Sequence, residues 1–155
     1  MNDTTPKNQE MNYELVDLEP VTVAGITLRT DNSEAGLERI GQHWGTFFRQ
    51  GVMNQLGPKA EGPIYEVYYD YESDATGAYT LMLGSRVPAD AAVTEGLQRT
   101  TLPAARYAKF SIDDPKAIYA AWQHIWQRRD LDRTYSGDFE VIGESSADIY
   151  VAVRQ

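Results

Sequence analysis

Two amphipathic helical stripes, each preceded by a pair of strand-like runs and followed by another pair, divide this sequence into halves with the same element order. In the first half, YELVDL and VTVAGITLR flank Glu19-Pro20 and predict a hairpin. Asp31, Asn32 and Ser33 offer caps, and Leu37, Ile40, Trp44, Phe47 and Phe48 recur at helical spacing, predicting a helix to near Leu56, where Gly57-Pro58 stops it. Strands over 64–72 and 78–87 follow. In the second half, runs over 97–101 and 106–112 flank Leu102-Pro103 as another hairpin. Asp114-Pro115 opens a helix striped with Ile118, Trp122, Ile125 and Trp126, and strands over 139–142 and 149–153 close the chain.

This order predicts an α+β fold: duplicated ββαββ units, about 12–88 and 96–155, forming one mainly antiparallel sheet. Both helices are expected on one face and a ligand cleft on the other, concave face. Residues 1–11 are polar and aperiodic, and are expected to be a disordered leader before a single domain over 12–155.

The 155 residues contain no cysteine, which excludes disulfides, thiolate nucleophiles and Cys-ligated metals. The two histidines, His43 and His124, lack metal-ligand spacing, so no cofactor or metal is expected. A net charge of −9 without a Lys/Arg cluster disfavours direct nucleic-acid binding. Apolar runs are too short to span a membrane, and the N-terminus lacks a secretory pattern, giving a cytoplasmic expectation. No nucleophile elbow, dinucleotide turn, phosphate loop or zinc-protease helix is present.

The stretch IYEVYYDYESD, 64–74, holds four tyrosines and four carboxylates without a cation. Alternation sets Tyr65, Val67, Tyr69 and Tyr71 on one face and Glu66, Tyr68, Asp70 and Glu72 on the other. The second face reads equally as a solvated acidic edge or as a ligand wall in which Tyr68 supplies ring area and cation–π attraction. In DFEVI, 138–142, Glu140 shares a face with Ile142; on an edge strand this is a solvent-facing acid, and in a cleft it is a countercharge. Trp44, Trp122 and Trp126 belong to helix stripes where core packing is the ordinary role, with a rim able to reach a pocket. Tyr107 admits both a cleft and a packing role.

With the phrases IYEVYYDYESD, GAYTLMLGSRV, PAARYAKF, DFEVI and ADIYVAV in place, the chain resembles the GyrI-like small-molecule-binding domains, also called AraC-type effector-binding domains, from Tyr13 to Arg154. The resemblance implies two pseudo-symmetric halves and a cleft for drug-like, often cationic and aromatic compounds. It matches Glu140 to a ligand-reaching glutamate on the penultimate strand, with Ile142 as apolar neighbour and Tyr68 as an aromatic wall. The expected ligand-contacting set is therefore Glu140, Tyr68, Ile142, Tyr107, Trp44 and Trp122. A transcriptional role would need a separate DNA-binding regulator, since no helix-turn-helix segment is recognised. Relatives that inhibit gyrase or hydrolyse strained-ring toxins leave two alternatives: an interaction role for Glu66, Asp70 and Glu72, or hydrolysis through Glu140.

Overall fold

A computed structural model describes residues 12–60 and 62–154; the predicted leader over 1–11 lies outside them. Strands β1 (Glu14–Leu18) and β2 (Val21–Thr30) precede helix α1 (Glu34–Arg49), which Ser33 caps by accepting the Gly36 backbone N–H at 3.0 Å. The helical run expected to reach Leu56 is cut at Gly51, whose φ of +60° is open to glycine at little cost; a separate short helix, α2 (Val52–Leu56), follows. Strands β3 (Ile64–Tyr69), β4 (Tyr79–Arg86), β5 (Gln98–Leu102) and β6 (Ala105–Ile112) come next. Asp114 then accepts the Lys116 N–H and, with Pro115, starts a 3-10 turn leading into α3 (Ile118–Gln127). Strands β7 (Asp138–Ile142) and β8 (Ala147–Val153) end the described chain.

All eight strands form one sheet in the order β1-β6-β8-β7-β3-β4-β2-β5, antiparallel at every pairing. Exchanging β1 with β5, β2 with β6, β3 with β7 and β4 with β8 returns the same order reversed, which is a pseudo-two-fold about the central β3/β7 pair. The α+β class and the duplicated layout expected from the sequence are thus present. The two hairpins are not: β1 pairs with β6, and β2 with β4 and β5, so each half lends its first strand to the edge of the other. The turn signals at Glu19-Pro20 and Leu102-Pro103 mark where the chain bends, but not which strand it pairs with.

That exchange fixes the shape. β1 and β2 stand six positions apart in the sheet, about 29 Å if it were flat, yet the link from Leu18 to Val21 spans at most about 11 Å. The same holds between β5 and β6. The sheet must roll until its edges approach each other. Its inner side is filled by its own side chains, including Val23, Val67, Met82, Leu102, Tyr107 and Phe139, with no helical residue among them. Two further clusters lie on the outer side, one joining Phe47 of α1 to Leu81 and Leu83, the other joining Trp122 and Ile125 of α3 to Phe110 and Ile149. The concave face expected to hold the cleft is therefore packed solid, and the open space lies on the helix-bearing face, between α1 and α3.

Candidate functional site

Glu66 and Glu140 are direct cross-strand partners in the β3/β7 ladder, at the pseudo-two-fold axis. They occupy matching places in a repeated tripeptide, Tyr65-Glu66-Val67 and Phe139-Glu140-Val141, so strand alternation sends both carboxyls to the helix-bearing face. Both are buried, with 5% and 0% of their surface exposed. The helices continue the symmetry. Trp44 on α1 stands beside Glu66, and Trp122 on α3 donates its indole N–H to Glu140 Oε2.

The symmetry breaks one step along each strand. Tyr68 donates its hydroxyl to Glu140 Oε2 at 2.6 Å, whereas Ile142, at the corresponding place in the other half, has nothing to donate. Glu140 Oε2 thus accepts two hydrogen bonds, while Oε1 accepts none from them and is left for Glu66, the neighbour able to carry a proton. Burial pushes the Glu66 carboxyl well above the ordinary carboxylate range, and the adjacent Glu140 charge pushes it further. Burial also raises Glu140, but the hydrogen bonds from Glu66, Tyr68 and Trp122 oppose the rise. Glu66 is therefore the carboxyl pushed harder toward its protonated form, and Glu140 the one whose charge the neighbouring donors favour.

Above this pair opens a cavity of about 480 Å³. Its walls are aromatic: Trp44 from α1, Trp122 and Trp126 from α3, and Tyr68, Tyr71 and Tyr79 from the sheet side. Ile40, Ile118 and Ile142 add aliphatic surface. Glu66 reaches the wall directly, and Glu140 lies behind it, held by Tyr68 and Trp122. Tyr79 is fixed by donating to Asn32 Oδ1 at 2.7 Å. Burial raises the Tyr68, Tyr71 and Tyr79 phenols above their usual range, so all three are neutral hydrogen-bonding walls.

The wall also contains a cation, Arg133, whose Nη2 lies 2.7 Å from Asp138 Oδ2. Asp138 also accepts the Tyr71 hydroxyl at 2.6 Å and the Ala152 N–H at 2.8 Å, so this ion pair is internally compensated. The net uncompensated charge beneath the cavity belongs to the glutamate pair. Among the described residues no group of three or more histidines and carboxylates is placed to hold a metal, and no helix is long and apolar enough to cross a membrane.

Of the residues expected to touch a ligand, Tyr68, Ile142, Trp44 and Trp122 line the cavity, and Glu140 supports its floor. Tyr107 does not belong there. Its ring is 1% exposed on the inner side of the rolled sheet, stacked edge-on against Phe139, because its β6 register turns it away from the helices. The acidic strand expected to offer Glu66, Asp70 and Glu72 together to a partner is also not formed, since Glu66 is buried at the cavity while Asp70 and Glu72 are exposed. Tyr71, expected on the opposite face from Tyr68, joins it at the cavity; Asp70, at φ +52°, ends β3 and breaks the alternation. Glu66, read from the sequence as part of an acidic edge, is the carboxyl not assigned to the ligand set, although the repeated Tyr/Phe-Glu-Val phrase carried the signal; Tyr71, Tyr79 and Trp126 also join the wall.

Comparison with known proteins agrees with this architecture. Residues 14–153 match the Cass2 family, described as integron-associated effector binding protein. YobU of Bacillus subtilis, whose name proposes a transcriptional regulator, is 30% identical over 147 residues, covering 85% of this chain and 91% of YobU. Among solved structures, an integron cassette protein from Vibrio cholerae superposes with a TM-score of 0.74 at 25% identity, over 92% of this chain and 96% of that one. SAV2435, solved bound to tetraphenylphosphonium, has the same fold, with a TM-score of 0.75 at 21% identity over 93% and 94% of the two chains. Matched to the family over residues 14–153 and sharing the fold of the integron cassette protein, this chain belongs to the Cass2 family of integron-associated effector binding proteins, within the GyrI-like fold.

Proposed function

We propose that this protein captures small aromatic cations in the cavity between α1 and α3, as a sensor or sequestering protein. The observation that supports this most strongly is the acid pair beneath an aromatic-walled cavity of about 480 Å³, where the wall cation Arg133 is already paired with Asp138 and Lys116 stands exposed at the rim. A flat apolar cation entering the cavity loses hydration. The indole and phenol faces return cation–π attraction, and the Glu140 charge acts across a low-dielectric gap. A neutral ligand of the same shape gains only the first, and an anion is repelled. The fold shared with SAV2435, solved with tetraphenylphosphonium, is consistent with that ligand class.

The hydrolytic alternative is less well supported, because Glu140 Oε2 already accepts two hydrogen bonds and sits behind Glu66 instead of facing the cavity. A regulatory role, as the name of YobU proposes for that protein, would here pass through a separate DNA-binding partner, given a net charge of −9.

Two ions of nearly one shape and opposite charge test the reading. Tetraphenylphosphonium should raise the thermal midpoint in a concentration-dependent way, and tetraphenylborate should not. Equal shifts from both ions would leave only shape-driven binding, and the reading would fail.

A further inference from the structure

The Glu66/Glu140 pair, directly opposed in the ladder and both buried, has outside donors for only part of its four carboxyl oxygens. Glu140 Oε2 is doubly bonded by Tyr68 and Trp122, Glu140 Oε1 lacks any donor other than Glu66, and Glu66 has the Trp44 indole beside it. Among the described residues no side-chain cation forms an ion pair with either glutamate. From the sheet, the titratable groups facing the pair are Tyr68 and Tyr79, both neutral phenols. From the segment before β7, Arg133 is engaged by Asp138; from the turn before α3, Lys116 is exposed at the cavity rim; from α1, the polar group reaching the pair is the Trp44 indole.

We infer that the pair acts as one shared negative charge, so that the cavity is a receptor for aromatic ions carrying a single positive charge and admits a doubly charged ion only by releasing the proton between the two glutamates. This rests on the cation-capture reading and narrows its ligand class. A monocation entering the cavity makes the buried assembly neutral with the proton retained. A dication leaves one charge over, and the second carboxylate must form to offset it, which exchanges a proton for the guest. Affinity for the monocation is then flat with pH near neutrality, and affinity for the dication rises with pH, because each bound dication releases a proton.

N-methyl-4-phenylpyridinium and methyl viologen are biaryls of similar size with one and two charges. Titration calorimetry at neutral pH in phosphate and in Tris, whose ionisation enthalpies differ, counts the protons released. The expected result is about zero for the first ion and a value approaching one for the second. Glu66→Gln mimics the protonated acid and holds no exchangeable proton, so it should abolish the viologen-linked proton release and weaken viologen more than N-methyl-4-phenylpyridinium. Glu140→Gln removes the carboxylate that Tyr68 and Trp122 hydrogen-bond, and should weaken both ions. Thermal denaturation of each variant checks that it is folded.

Viologen binding without proton release would overturn the inference while leaving cation capture standing. So would a tenfold or greater loss of N-methyl-4-phenylpyridinium in Glu66→Gln, which marks a doubly ionised pair. Proton release on binding the monocation would mark an uncharged pair and overturn it equally. If neither ion binds, the cation reading fails and takes this inference with it.

Discussion

Glu66 shows how a single side chain can be legible in type and illegible in role. Alternation along β3 correctly gives it the same face as Tyr68, yet a carboxylate beside Asp70 and Glu72 reads as part of a solvated edge. What decides its environment is its partner 74 positions away in the chain, and register between strands of different halves is not written in local periodicity. Glu140 was legible through resemblance, and Trp44 and Trp122 through their helix stripes; that both indoles stand beside carboxyls emerges only once both halves are assembled. The pH behaviour of Glu66 follows from burial. Its folded carboxyl ionises well above the ordinary 4.5, so the folded state keeps the proton longer than the unfolded chain. This contribution to stability is full below about 4.5 and is lost as pH rises through the raised value. Denaturation midpoints from about pH 5 to 9 should therefore show Glu66→Gln gaining on wild type as pH rises. A difference that stays constant with pH would show that Glu66 is ionised throughout.

At the scale of elements, the sequence signals for caps and breakers were dependable where the chemistry is local. Ser33 caps α1 and Asp114-Pro115 opens the second helical segment, as their side chains dictate. Gly51 ends α1 earlier than the apolar stripe implied, since the stripe continues into α2 across a residue whose backbone has already turned left-handed. The strand signals match the observed strands to within three residues, the largest difference being the early end of β3 at Tyr69, but they do not give the pairing at either proline-marked bend. Gly25 and Gly84 illustrate why: they face each other across β2/β4, and a Cβ on Gly84 would sit 1.7 Å from the Ala24 carbonyl oxygen. A side chain at either position would force apart the strands that carry the roll, so backbone contact there is set by the whole sheet and not by turn propensity. Gly84→Ala is expected to destabilise the fold by about 1–3 kcal/mol, measured by urea denaturation. An unchanged midpoint would mean the two strands can separate freely, against the close packing described.

Over the whole molecule, exchange of the first strands between halves rolls the sheet, fills its interior with its own side chains and drives the ligand space outward to the seam between the two helices. The pseudo-two-fold places like beside like at that seam: glutamate opposite glutamate, and an indole from each helix above them. Duplication was readable in the repeated element order. The face bearing the cleft was not, because it depends on how the sheet closes. A buried pair of acids is unfavourable for folding, and the proposed positive guest would offset that cost under the aromatic canopy. The most direct test is calorimetric titration of tetraphenylphosphonium into wild type and into the folded double variant Glu66→Gln/Glu140→Gln, with neutral triphenylphosphine oxide as control. The account predicts that the phosphonium loses at least about tenfold in affinity while the oxide is unchanged within about twofold. Equal phosphonium affinity in the two proteins would contradict it.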